Sequence, residues 1–250
     1  MHNISGVIGL LLLTATMLMA GCGGDVDSEG LETNNIHAVV VIEAMDNQTD
    51  INAELRTEGA IVALSSSDKF TVSAYGETTV LSRYKLGDLF TGTRYKASFD
   101  NYIAGDLITL SLERENENSA PQSYIRLPET VNIYSPADEI SLSAEENFTL
   151  LWDIVINTEI EIDANLYCED SKGSSILSSL TESIDDNGSY TIKFLEIIEQ
   201  KDLSNINTDV QCHAQVNITR VTRGTMDGAF ANGSSITARH SSSASFIVNF

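Results

Sequence analysis

The run Glu159-Ile160-Glu161-Ile162-Asp163-Ala164-Asn165-Leu166-Tyr167-Cys168 decides the fold. Polar and apolar side chains alternate through all of it, which is the period of a strand with one wet face and one buried face. Downstream, Val210, Cys212, Ala214, Val216 and Ile218 repeat the pattern, and Ile236 and Ala238, then Ala244, Phe246, Val248 and Phe250, close the chain in the same way. Upstream, Phe148, Leu150 and Trp152 make a shorter run that holds the one tryptophan of the sequence. Asp186-Asn187-Gly188-Ser189-Tyr190-Thr191-Ile192 reads as a turn entering a strand. Only Phe194 to Lys201 has a helical pattern, that of a short turn between strands.

Strand parity carries chemistry as well as fold. Cys168 is in phase with Ile160, Ile162 and Leu166, and Cys212 with Val210, Val216 and Ile218, so both sulfurs point into the same core. If these strands are antiparallel neighbours, the end of the first lies beside the start of the second. A disulfide closing this loop of 44 residues would stabilise the domain by ~4 kcal/mol on the chain-entropy model, an upper-end figure. Free thiols, or a metal site shared with His213, are the alternatives. Parity turns His213 to the opposite face, and no Cys-x-x-Cys or His-x-x-x-His spacing supports zinc.

The same period of two fills the chain from Ile36 onward, in Ala38/Val40/Ile42, Ile51/Ala53/Leu55, Phe70/Val72/Ala74, Tyr95/Ala97/Phe99 and Ile108/Leu110/Leu112. Turn clusters such as Asp46-Asn47-Gln48-Thr49-Asp50 separate the runs, and short strands so spaced suggest antiparallel sandwiches. Pro128 denies a ladder its donor and divides two such sets. The expected organisation is all-β, with domains at 36–128 and 129–250. The order of runs from Val131 through Trp152 resembles immunoglobulin-like sandwich modules of bacterial surface proteins.

Ahead of them, Ile4 to Ala20 is uncharged, and Val7 to Leu13 is an apolar run of signal-peptide length, short for a membrane span. Leu18-Met19-Ala20-Gly21-Cys22 resembles the processing site of bacterial lipoproteins, which implies removal of residues 1–21 and acylation of Cys22. An uncleaved anchor and a buried N-terminal helix are the other readings. Acylation of Cys22 would also leave an even pair of cysteines in an oxidising compartment. Gly23 in second place resembles lipoproteins passed on to the outer membrane, with inner-membrane retention as the runner-up. Residues 22–35, polar, glycine-containing and acidic, read as a flexible tether.

With 14 basic and 36 acidic side chains the formal charge is −22, which repels nucleic acids and disfavours polybasic docking on anionic lipid. Calcium could be held by Asp46 with Asp50, or by Asp185, Asp186 and Asn187, but neither set has calcium-loop spacing. Glu159, Glu161 and Asp163 form an exposed acidic face rather than an acid/base pair in a pocket. His240 beside Ser241-Ser242-Ser243 lacks the Gly-x-Ser-x-Gly elbow of a serine hydrolase, and no phosphate-binding loop is present. No catalytic, cofactor or metal residue is therefore assigned.

The densest pattern is residues 219–239, TRVTRGTMDGAFANGSSITAR, which holds three of the eight arginines. Arg220, Arg223 and Arg239 facing Asp227 across a hairpin would pin the loop between them by charge-assisted hydrogen bonds. With the upstream cysteine and the Leu127-Pro128 junction, this stretch resembles a group of uncharacterised Gram-negative lipoproteins, which implies location and fold only. The expectation is a lipid-anchored envelope protein, non-enzymatic, serving as a binding or structural module with an envelope protein or glycan as partner. A hydrolase with a site grafted on a sandwich, and a calcium-dependent adhesion module, are the alternatives.

Overall fold

Strands form where the sequence alternates. In the computed structural model, residues 25–85, 92–136, 140–198 and 200–250 are described. The first half contains β1 (Val26–Asp27), β2 (His37–Met45), β3 (Gln48–Thr57), β4 (Ala60–Ala63), β5 (Lys69–Ala74), β6 (Glu77–Val80), β7 (Ser82–Lys85), β8 (Thr93–Phe99), β9 (Leu107–Glu113) and β10 (Ala120–Arg126). The second contains β11 (Ile133–Ser135), β12 (Ser141–Ser143), β13 (Phe148–Trp152), β14 (Glu159–Glu169), β15 (Ser175–Asp185), β16 (Ser189–Ile192), β17 (Cys212–Arg223) and β18 (Ser235–Asn249). The helical stretch is two single turns, α1 (Phe194–Ile197) and α2 (Gln200–Leu203).

The molecule is all-β, in two sandwiches. In the second, β11, β13 and β16 form one sheet, and β18, β17, β14 and β15 line up in the other. The chain crosses from sheet to sheet after β13, after β15 and after β16, and β12 joins the second sheet parallel to β18. That is an immunoglobulin-like Greek key with its first strand divided between the sheets. The ring of Phe148 contacts those of Phe194 and Phe246 at 5.2 Å each, tying the two layers together. In the first half, β10, β9, β5 and β6 pack against a layer built on β2, β3 and β8, with Phe70, Leu110 and Ile125 in the core.

The halves share a sheet. β18 pairs in parallel with β2 through Ser235–His240 and, further along, with β12 through Ile247–Asn249, so an 11-stranded sheet runs through both sandwiches. Leu127 belongs to the first core and Val131 to the second, yet Phe230, Ile236 and Ala238 are packed in the first. The first half therefore needs residues far beyond 128. A 12-residue β17 and a 15-residue β18 are long enough to serve both cores.

The described part of the expected tether is folded as well. β1 pairs with β4, Ser28 is fully buried, and Asp25 accepts hydrogen bonds from the Thr93 amide at 3.1 Å and its hydroxyl at 2.6 Å. The cause is Arg114. Its buried guanidinium donates to the carbonyls of Ser28 and Leu31 at 2.7 Å each and pairs with Asp68 at 3.1 Å, so the polar segment supplies the acceptors a buried cation requires.

Cys168 and Cys212 are bonded, at directly opposite positions of adjacent β14 and β17 with Cα atoms 4.4 Å apart, close to the spacing of a non-hydrogen-bonded pair. Both are buried, as parity requires, and His213 is exposed.

Candidate functional site: the junction between the sandwiches

Parity on β17 places Arg220 on the inward face with Cys212, Val216 and Ile218, where it is fully buried. A charge there needs a complete set of partners. Nε donates to Asp186 at 2.9 Å, Nη1 to the carbonyls of Thr130 and Glu129, and Nη2 to the carbonyl of Asp153. Asp186 in turn accepts from Trp152 Nε1 at 2.9 Å, the Val155 amide and the Thr158 hydroxyl. The guanidinium thus grips the connection between the halves from inside the second one.

His240, also inward, completes the junction. Its ring stacks on Tyr102 at 5.1 Å, and Nδ1 accepts from the Val131 amide at 3.4 Å. Nε2 is buried without a hydrogen-bond partner, 3.8 Å from Asp46. Burial holds the imidazole below its ordinary pKa, with Arg220 adding to the effect and Asp46 and Asp153 opposing it. A neutral folded imidazole against a normally titrating unfolded one means that stability is complete above about pH 6.5 and is lost as pH falls toward the depressed value. Replacing His240 with Gln should flatten the dependence of unfolding free energy on pH just below 6.5, as read by denaturant titrations at several pH values.

Asp227 does not meet the three arginines. Its carboxylate accepts from the backbone amides of Gln122 at 2.7 Å and Ala229 at 2.8 Å, holding the loop after β17 onto β10. Arg223 pairs instead with Glu159 at 2.6 Å, and Arg239 with Glu161 at 3.1 Å. The reason is register. All four side chains lie on the outer face of adjacent strands, where Glu159 stands opposite Val221 and Val221 opposite Arg239, whereas the loop carries Asp227 away toward the other layer. Gly224 marks the close approach that results, since a Cβ there would lie 2.4 Å from the Tyr124 carbonyl oxygen.

Between β10 and the ends of β14, β15 and β17 runs a groove of about 1370 Å³. Leu107, Tyr124 and Ile156 give it apolar surface; Tyr124 is 48% exposed and Ile156 76%. Gln122, Asn157 and Thr222 offer hydrogen-bonding groups, and Arg126, Arg223, Glu159 and Asp185 bring charge of both signs. Asn157 holds a left-handed backbone conformation, φ 62°, at the rim. The Glu159 carboxyl is held below its usual range by the Ser183 hydroxyl and Arg223, so it stays ionised.

Neither acidic turn gathers its carboxylates. Asp46 is exposed beside His240 while Asp50 accepts from Gln48 and Ser98; Asp186 is buried while Asn187 accepts from the Ser189 amide. Among the described residues no group of three or more His, Cys, Asp or Glu side chains is placed to hold a metal ion. Cys22 lies outside the described residues.

Fold and site together define a tandem β-sandwich module with a groove at its junction. No family model matches the sequence, and no curated protein matches it. Among solved structures, the FN1-FN3 domains of chicken CNTN1 are similar over 92% of this chain and 69% of that one, at 10% identity and a TM-score of 0.32. Fibronectin(III)-like modules of CbhA from Clostridium thermocellum are similar over 85% of this chain and 93% of that one, at 13% identity and a TM-score of 0.24. The sandwich architecture itself is read from the strand ladders above.

Proposed function

We propose that the protein is a lipid-anchored cell-envelope module that binds its partner, an envelope protein or glycan segment, in the groove between its sandwiches, without catalysis. The groove carries this reading: concave, with apolar patches and hydrogen-bonding groups, it has the make-up of a binding site. Its walls come from both halves, and the β17–β18 hairpin and the Arg220 clamp fix them relative to each other. Glu159, held as a carboxylate by Arg223, is suited to recognition rather than to proton donation. The anchor rests on Ala20-Gly21-Cys22 after an apolar run, and Gly23 favours the outer membrane.

A photo-crosslinking residue in place of Ile156, expressed in intact cells, tests the groove against the same residue in place of Thr79 on the exposed β6. A discrete adduct from position 156 alone is the expected result. Equal labelling at both positions, or none at 156, would contradict it.

A further inference from the structure

β15 ends the large sheet and is bare. It pairs with β14 over its whole length, Ser175 to Asp185, and among the described residues no strand lies on its other side. The other strands that end a sheet are protected. β1, β6, β7, β11, β12 and β16 have two to four residues each, β7 carries Arg83 and Lys85, and the Tyr124–Thr225 bridge covers β10. Short, charged or covered edges prevent pairing with another chain. β15 instead has 11 residues, no Lys, Arg or Pro among them, and an outward Leu177 that is 61% exposed.

The free backbone groups of this edge are regularly placed. The Asp170 amide donates to the Ser174 carbonyl at 2.8 Å and the Asp186 amide to the Thr158 carbonyl at 3.1 Å, both in the register that sets Ile176 opposite Cys168 and Ile184 opposite Ile160. Hydrogen-bonded pairs alternate along an antiparallel ladder, so the even-numbered residues of β15 bond to β14. The amides and carbonyls of Ser175, Leu177, Ser179, Thr181, Ser183 and Asp185 therefore point to the open edge. The side chains are symmetric about Leu180, for Ile176, Leu180 and Ile184 are evenly spaced and half-buried against the second core. A second β15 running antiparallel about Leu180 would set Ile176 opposite Ile184, Leu180 opposite its own copy and Ser178 opposite Glu182; on the outer face Ser179 would meet Thr181, and Ser175 would meet Asp185. No carboxylate then faces another, and the turn carrying Lys172 comes to the Asp185 end of the other copy. Moving the centre by one residue puts Leu180 opposite Ser178 or Glu182, and parallel pairing in register puts Glu182 on Glu182. Like charges directly opposite are unfavourable, whereas apolar and Ser–Thr pairs stabilise.

We infer that the protein forms a two-fold dimer by antiparallel pairing of β15 with the β15 of a second copy, centred on Leu180, which joins the two large sheets into one. Neither the anchor nor a ligand in the groove is needed for this pairing. The charge of −22 on each copy opposes the approach. Salt at physiological strength screens charges beyond about 8 Å and leaves the strand pairing in place, so the dimer tightens as salt rises.

Sedimentation of the full chain at rising concentration, in a detergent matched in density to the buffer, tests this. The expected result is a monomer–dimer equilibrium that stops at two copies and strengthens with salt. Ser179→Pro removes an amide on the open side and none that bonds to β14, so it should fold and stay monomeric wherever the parent chain is dimeric. Ser179→Lys with Thr181→Lys changes only exposed side chains, sets like charges opposite each other across the two-fold, and should also be monomeric. Ser179→Asp with Thr181→Lys, in which each aspartate meets a lysine of the other copy, should restore the dimer. A parent chain that stays monomeric, assembly beyond two copies, a dimer that survives the lysine pair, or an aspartate–lysine variant no tighter than the lysine pair would each overturn the inference.

Discussion

Changing Arg220 to Ala should lower the unfolding free energy by about 3–5 kcal/mol, the cost of leaving one member of a buried pair uncompensated. Asp186 would keep Trp152, Val155 and Thr158 as donors but lose the one cation bonded to it among the described residues, and the carbonyls of Thr130 and Asp153 would lose their guanidinium donor. Denaturant titration followed by the fluorescence of Trp152, buried beside Asp186, reads this directly. Pairing Arg220→Met with Asp186→Leu should recover part of the loss, because neither charge is then left alone. Full recovery is not expected, since Trp152 Nε1 would still lack its acceptor. A midpoint unchanged in Arg220→Ala would mean that the clamp contributes nothing.

Removing the disulfide comes next in expected size. Cys168→Ala with Cys212→Ala frees a loop of 44 residues in the unfolded chain, and the chain-entropy model puts the loss at up to about 4 kcal/mol. The ladder of β14 on β17 remains, so the double variant should still fold at low temperature and unfold at a lower denaturant midpoint, with a slope at least as steep because the freed loop lets the denatured chain expand. In the parent protein, thiol titration of the unfolded, unreduced mature domain should find no free sulfhydryl. Two per chain would refute the bond.

Alternation made the strands legible because side-chain period is a local property. It also made the disulfide legible, since parity and chain order suffice to put Cys168 and Cys212 on one face at one end of a pair. The junction was less so. Parity marks Arg220 as inward, in phase with Cys212, and His240 as inward, in phase with Ile236 and Ala238; a charge in a core phase announces a buried partner. It does not say which. Asp227 was the acid nearest in sequence, whereas Arg220 finds Asp186 at 34 residues' separation and Arg223 finds Glu159 at 64. The acidic face expected to be exposed on β14 is instead half-buried, with two of its three carboxylates paired to arginine, a consequence of register that composition cannot supply. The shared sheet was hidden for a related reason, since a long alternating run reveals neither how many cores it crosses nor which strand lies beside it. The polar stretch after Asp25 read as a tether because its stabilising groups are backbone carbonyls, invisible in the side-chain pattern, that meet a buried arginine some 80 residues on.

Anchoring underlies the proposed location, and one measurement reaches it directly: the mass of the N-terminal peptide of the protein isolated from its own membranes. The account predicts a peptide that begins at Cys22 and carries acyl chains, together with release of Cys22→Ser into the soluble fraction. A peptide that still begins at Met1, or an unmodified Cys22 in a chain that stays with the membrane, would contradict it.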